Sequence, residues 1–201
     1  MRSLTKSELG VMFVTLAFIA ILSLLNFQKA IRRSRDNVRK DDINYVRNQL
    51  VVYRDEAGFL PLSTEDGAIK ACAPENIDQL VSDINAQKIM TKEYLESLVA
   101  CPWGDAKLVD FITGIVYIEN LPKDPRWEDG SSYRYISNGR LFQLLANLEG
   151  VGEEVEIKDE IIARNIACGS VVCNFGRGYE KTPLDKTLEE YENELAKEKN
   201  K

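Results

Sequence analysis

The chain has no histidine among its 201 residues. Histidine supplies the general base of Ser-His-Asp triads and most of the protein ligands of catalytic zinc and iron, so these classes of enzyme are removed. Glycine-rich phosphate loops are also missing, because Gly176-Arg177-Gly178 is too short and lacks the strand, loop and helix spacing of such a loop. With no paired-carboxylate or nucleophile motif either, we expect no enzyme activity, no cofactor and no metal.

Cysteine is scarce, with four residues and no CxxC pair, which argues against zinc ribbons and thioredoxin-like sites. An even number of cysteines in an exported domain fits disulfides, with three possible connectivities. Cys168 and Cys173 are close enough in sequence to close one short hairpin, and Cys72 and Cys101 would then close a larger loop. The alternative is four buried, reduced thiols in a domain that stays in the cytoplasm.

Positive charge is concentrated in one short stretch of an acidic chain. The net charge is −6, so we expect no nucleic-acid partner. Residues 29–40 nevertheless hold six Lys or Arg against one Asp. This asymmetry suggests a role for the stretch at a membrane surface or in assembly, and the alternative is a solvated helix face.

One long apolar run, residues 9–27, precedes the basic stretch. Nineteen residues of helix rise roughly 28 Å, about the thickness of the hydrocarbon core of a bilayer. Thr15, Ser23 and Asn26 are its only polar interruptions. A cleaved secretory signal is the competing interpretation, but no small-x-small cleavage motif follows the run. We therefore predict a single membrane span over residues 9–27.

The helical pattern continues beyond this span, and residues 28–53 contain neither proline nor glycine. We predict one helix over residues 4–58 that stops at Gly58 and cannot continue past Pro61. Its outer half has an apolar stripe that should pack on a globular domain. The residues of this stripe, with two neighbours beside it, are Ile31, Val38, Val46, Leu50 and Tyr53, and Ile43 and Tyr45.

We predict a globular domain over residues 59–180 and a charged tail over 181–201. The first part, residues 59–110, reads as irregular chain with short helices. One predicted helix covers Asn76–Met90, and a second starts at Thr91 as its N-cap.

Strand signals dominate the later part of the domain. Alternating residues on both sides of Asn138-Gly139 predict an antiparallel hairpin. Ile112–Ile118 reads as a strand, and residues 161–175 as a further strand or hairpin. In the tail, Thr187 and Glu190 match a capping box. The expected fold class is α+β, with a long N-terminal helix packed on a small antiparallel β-sheet.

The N-terminal residues resemble those of type IV pilins and the pseudopilins of type II secretion systems. Members of these families have a short basic leader that is cut before an N-methylated residue, and a glutamate fifth in the mature chain. Residues 1–3 would be the leader here, cleaved between Ser3 and Leu4, and Glu8 is fifth from Leu4. The chain departs from the pattern with Ser3 in place of Gly, Leu4 in place of Phe, and polar residues at Lys6 and Ser7.

The second half adds to this resemblance. Leu121-Pro122-Lys123-Asp124-Pro125 is followed by Tyr133-Arg134-Tyr135 and by Ser137-Asn138-Gly139. The order is similar to the sheet region of the major pseudopilins. Those proteins often bind calcium near the sheet, and Asp124, Glu128 and Asp129 are ligands of the right kind. They fit no specific loop pattern, however, which favours a solvated acidic turn.

The resemblance implies a pilin-like fold and a structural subunit of a type IV pilus or type II secretion pseudopilus. Its partners would be like subunits, a prepilin peptidase, an assembly platform protein and the lipid bilayer. In the filament, the N-terminal amine of one subunit would pair with Glu8 of its neighbour; a plain headgroup-level acid is the alternative. The other candidate is a single-span anchored protein whose outer domain binds a partner without polymerising.

The two arguments about topology disagree. The family implies a single-pass protein with an extracytoplasmic domain, at the bacterial cell surface or in the periplasm when assembled. The positive-inside rule, applied to the basic residues that follow the span, places the same domain in the cytoplasm.

Overall fold

The computed structural model describes residues 6–150 and 158–199. A single helix, α1, runs through Lys6–Ala57 and contains 52 residues. At 1.5 Å per residue it is about 78 Å long. It stops where predicted, because Gly58 adopts a left-handed φ of +81° and its N–H donates to the Arg54 carbonyl oxygen over 2.8 Å.

The rest of the described chain is built from short elements. The helices are α2 (Ile77–Asn85), α3 (Thr91–Ser97), α4 (Lys158–Ala163) and α5 (Leu188–Lys199), with a 3-10 turn at Trp127–Asp129. The strands are β1 (Leu62–Ser63), β2 (Ile69–Cys72), β3 (Val99–Cys101), β4 (Leu108–Asp110), β5 (Ile115–Ile118), β6 (Arg134–Ser137), β7 (Phe142–Ala146), β8 (Ala167–Cys168), β9 (Val171–Val172) and β10 (Phe175–Gly178).

All strand pairs in the described residues are antiparallel. Two sheets have three strands, in the orders β1-β2-β3 and β10-β7-β6, and two further pairs are β4-β5 and β8-β9. The fold class is therefore α+β, with a long N-terminal helix and small antiparallel sheets.

The hairpin predicted at Asn138-Gly139 is confirmed, with a longer loop. Ser137 pairs with Phe142, so residues 138–141 form the connection between β6 and β7. The side-chain oxygen of Asn138 accepts the N–H groups of Arg140 and Leu141 over 3.1 and 2.9 Å. This local cap stabilises a four-residue turn where a two-residue turn is the shorter choice.

Several local predictions are wrong at their boundaries. The first predicted helix ends at Asn85 and not at Met90, and Thr91 is the first residue of α3 and not its cap. Residues 161–163 belong to α4, although the hairpin β8-β9 follows as predicted. The pairing of β1, β2 and β3 was missed, because strands of two to four residues are too short to show an alternating pattern.

The outer half of α1 packs on the sheets through the predicted stripe, but only in part. Ile43, Val46, Leu50 and Tyr53 are buried in the main core together with β7. Ile31, Val38 and Tyr45 are instead exposed. Ile31 precedes the first contact of α1 with the domain, and Val38 and Tyr45 lie off the helix face that carries the buried side chains.

Two disulfides tie the short elements together. Cys72 and Cys101 join β2 to β3, with 5.1 Å between their Cα atoms. Cys168 and Cys173 close the β8-β9 hairpin, also with Cα atoms 5.1 Å apart. All four cysteines are paired. The structure therefore has the two disulfides that the sequence separations suggested, and it does not contain the four reduced thiols of the alternative.

Candidate functional site

The inner half of α1 projects from the domain with its apolar side chains exposed. The described side chains of residues 7–34 are all exposed. Among them Phe13, Val14 and Phe18 expose 63%, 71% and 61% of their surface. Exposed apolar surface of this extent is unfavourable in water and marks a membrane or protein contact. Within the described residues, this one helix is long and apolar enough to cross a membrane.

The polar side chain of Thr15 does not interrupt the apolar surface. Its hydroxyl donates back to the carbonyl oxygens of Val11 and Met12 over 3.1 and 2.9 Å. A hydroxyl that is satisfied by its own helix costs little in a hydrocarbon environment. The residues of the predicted span therefore keep a continuous helical backbone.

Glu8 lies in the first turn of α1 and is exposed. A carboxylate in the first turn is favoured by the partial positive charge of the helix N-terminus. Ser3 and Leu4, the predicted processing and methylation positions, lie outside the described residues.

The helix meets the domain at a cluster of charges that is buried at its centre and exposed at its edge. We call it the ionic junction, and its residues are Arg35, Asp36, Arg39, Asp124, Arg126 and Glu149. At its centre, Arg39 donates from Nε to Asp124 Oδ2 over 2.8 Å and from Nη2 to Asp124 Oδ1 over 3.0 Å. The side chains of Arg39 and Asp124 are 1% and 0% exposed. This bidentate pair joins the helix to the loop that precedes β6.

Glu149, just after β7, is the second acid of the ionic junction. It accepts hydrogen bonds from Arg39 Nη1 and Arg35 Nε, each over 2.7 Å, and lies 3.4 Å from Arg126 Nη1. The hydrogen bonds from Arg35, opposed by burial and reinforced by Arg39, lower the pKa of Glu149 to about 2. Glu149 is therefore ionised at neutral pH.

Asp36 holds the same chain segment from the helix side. Its carboxylate accepts the backbone N–H groups of Glu149 and Gly150, each over 2.8 Å, and lies 3.0 Å from Arg39 Nη1. The backbone N–H groups of the segment after β7 are therefore satisfied by a side chain of α1 and not by a neighbouring strand.

Arg39 stays charged inside the fold. Burial, the largest single influence, lowers the pKa of Arg39, but the hydrogen bonds to Asp124 and Glu149 together outweigh burial and raise it. Three arginines face Asp36, Asp124 and Glu149, so the charges of the ionic junction balance. Such a cluster can fix the angle of a helix on a domain.

Sequence reasoning missed this cluster. Arg39 lies four residues before Ile43 and seven before Val46, so the helical period places it on the buried face. A basic residue at a core position was the available signal. Asp124, expected in a solvated acidic turn, is instead buried, because its partner Arg39 comes from a distant part of the chain.

Further contacts hold α1 along the domain above the ionic junction. Tyr133 donates its hydroxyl to Asp42, and Tyr117 donates to Glu56 over 2.7 Å. Arg47 Nε donates to the carbonyl oxygen of Gly178 over 3.2 Å. The outer half of the helix is therefore held by side chains from its lower end to its last turn.

Two of the three acids weighed as calcium ligands face arginines, and the third, Glu128, is exposed. Both oxygens of Asp124 contact Arg39, and Asp129 pairs with Arg126 over 2.8 Å. Among residues 6–150 and 158–199, no group of three or more acidic or cysteine side chains is placed to hold a metal ion.

No family model matches the chain, and neither the curated proteins nor the solved structures give a significant match. Function is therefore inferred from the residues and their geometry.

Proposed function

We propose that the chain is a structural subunit of a type IV pilus or type II secretion pseudopilus, stored in a membrane and without catalytic activity. The observation that supports this most is the division of one continuous helix into two parts. The inner part of α1 exposes apolar side chains, and the outer part is a core element of the domain. A subunit of this shape can leave the bilayer and bury the same apolar surface against other helices.

The ionic junction supports this proposal because it holds the projecting helix at a fixed angle to the domain. A filament subunit needs its helix held at one angle to the domain, because each neighbour packs on both. Arg39 joins Asp124 and Glu149 within one turn of the point where the helix leaves the domain, and these contacts span 85 and 110 residues of sequence. Bidentate, buried arginine pairs fix orientation as well as distance.

Glu8 is proposed to set the register between subunits. The N-terminal amine of Leu4 in one subunit would pair with the Glu8 carboxylate of its neighbour. Both groups would lie among apolar helices, where an unpaired charge is expensive. Subunits would therefore assemble only in the register that matches amine to carboxylate.

The proposed partners follow from three steps: cleavage of the leader, extraction from the membrane and incorporation into the filament. A prepilin peptidase would cleave after Ser3, an assembly platform protein would extract the subunit from the lipid bilayer, and like subunits would receive it. The two disulfides support an extracytoplasmic domain, since such bonds persist in oxidising compartments.

Intact mass and N-terminal sequencing of the protein from its native membranes test the processing step. A chain that starts at methylated Leu4 is the expected result, with both disulfides intact before reduction. A chain that still starts at Met1 would remove the pairing of the amine with Glu8. It would favour the alternative, a single-span anchored protein whose outer domain binds a partner without polymerising.

The register mechanism is tested by Glu8→Ala, with Ser7→Ala in the same turn as the matched control. Glu8→Ala should stay in the membrane fraction and fail to enter filaments, whereas the control should enter them. Filaments that contain Glu8→Ala at the control level would contradict the mechanism.

A further inference from the structure

We propose that the underside of the globular domain rests on anionic phospholipid headgroups, which Lys29, Arg32 and Arg33 bind. This inference rests on the membrane anchoring in the proposed function and does not require polymerisation. We call the exposed segment between the span and the ionic junction, residues 28–34, the neck.

The height of the neck matches the headgroup layer. If the apolar run ends at Phe27 at the hydrocarbon boundary, Lys29, Arg32 and Arg33 lie about 3 to 9 Å beyond it. The headgroup region of each leaflet is roughly 5 to 7 Å thick. The lowest side-chain contact between helix and domain, Arg35 with Glu149, follows within one further turn. The underside of the domain is therefore held just above the lipid surface.

These three basic side chains are the uncommitted charges of the basic stretch. Lys29, Arg32 and Arg33 are exposed and form no ion pair with any residue in the ranges 6–150 and 158–199. Arg35 and Arg39, by contrast, are neutralised by Glu149 and Asp124. The ionic junction thus uses Arg35 and Arg39, and the three basic side chains of the neck remain available to a ligand.

The three basic side chains lie on faces of α1 that lipid headgroups beneath the domain can reach. At 100° per residue, Arg32 lies on the same face of α1 as Arg39 and so points beneath the domain. There it lines an open notch of about 600 Å³ with Arg35 and Arg126. Lys29 and Arg33 lie on the adjoining face of α1, along a shallow open groove formed by residues of this helix alone. Lipid headgroups could approach from both sides of the helix.

The charge distribution of the chain makes this contact directional. The neck, residues 28–34, carries a net charge of +3 in a chain whose total is −6, so the rest nets −9. An anionic surface attracts the neck and repels most of the domain. The domain should therefore touch anionic lipid with its underside alone.

Full-length protein in vesicles tests the proposal. One set of vesicles contains phosphatidylcholine only, and the other contains equal parts of phosphatidylcholine and phosphatidylglycerol. Glu128, exposed in the 3-10 turn beside Arg126, is replaced by cysteine and labelled with a fluorescent donor. Energy transfer to an acceptor on lipid headgroups then reports the distance from the underside to the membrane.

We expect higher transfer in the vesicles with phosphatidylglycerol, and loss of this increase at high salt. The triple variant Lys29→Gln, Arg32→Gln, Arg33→Gln should lose the increase and still sediment with both kinds of vesicle. Lys92→Gln, Lys181→Gln, Lys197→Gln is the matched control, with the same change in net charge at exposed positions of the domain and tail. It should keep the increase.

Distinct results overturn the two proposals. Wild-type protein that sediments with vesicles but shows equal transfer in both lipids overturns headgroup binding alone. Failure of the wild type to sediment overturns membrane anchoring together with it. If the neck variant instead changes crosslinking between copies in phosphatidylcholine vesicles, without dependence on phosphatidylglycerol, the neck contacts a second copy and the lipid proposal is wrong.

Discussion

Arg39 and Asp124 form a bidentate ion pair across 85 residues of sequence, and both side chains are almost fully inaccessible to solvent. The pair lies one turn above the lowest contact between α1 and the domain, which Arg35 makes with Glu149. Its removal should therefore affect both the stability of the fold and the angle of the projecting helix.

Replacing Arg39 with methionine should destabilise the protein by about 3–5 kcal/mol, because the Asp124 carboxylate remains buried without its partner. Urea unfolding of the full chain in detergent, followed by tryptophan fluorescence, measures this. Adding Asp124→Asn should recover part of the loss, since the uncompensated charge is gone. A double variant as unstable as the sum of both single variants would contradict the ion-pair explanation.

Glu149 should make the protein sensitive to acid. Its pKa is lowered from 4.5 to about 2, so the folded state binds its proton later than the unfolded state. The resulting stability, at most about 3 kcal/mol, is present above pH 4.5 and is lost as the pH falls towards 2. Unfolding free energies of the wild type and Glu149→Gln should therefore converge over that window. Parallel curves would contradict this.

Gly169 should resist substitution for two reasons. It has a φ of +72°, and an added Cβ would meet the Gly130 carbonyl oxygen at 1.9 Å. Gly114 has a similar φ of +77° but open space around it. Gly114→Ala should cost about 1 kcal/mol from backbone strain alone, and Gly169→Ala clearly more. Equal melting temperatures for the two variants would show that the backbone near Gly130 can move away from the added Cβ without loss of stability.

The two disulfides should contribute unequally to stability. Cys72–Cys101 closes a loop with a sequence separation of 29, and Cys168–Cys173 one of 5. Loop-closure entropy gives about 3.5 kcal/mol for the first and about 2 kcal/mol for the second. Alanine pairs at each bridge, compared by urea unfolding, should follow this order, and the reverse order would show that packing around the short bridge dominates.

Local patterns were sufficient where neighbours in sequence decide the structure. The long helix follows from the absence of proline and glycine over residues 28–53, and its end follows from Gly58. The capping box also forms as predicted, since Thr187 and Glu190 exchange hydrogen bonds at the start of α5. The resemblance to pilins stays a prediction.

The sequence by itself determined which part of α1 is apolar, which part is basic and where the helix ends, because these depend on residues within a few turns of one another. Only the tertiary structure decided which acids would pair with Arg39, that Asp124 would be buried, and that Arg32 would be left without an ion-pair partner. Those outcomes depend on contacts between side chains that are 85 to 110 residues apart in sequence. The periodicity of a local segment contains no information about such distant contacts.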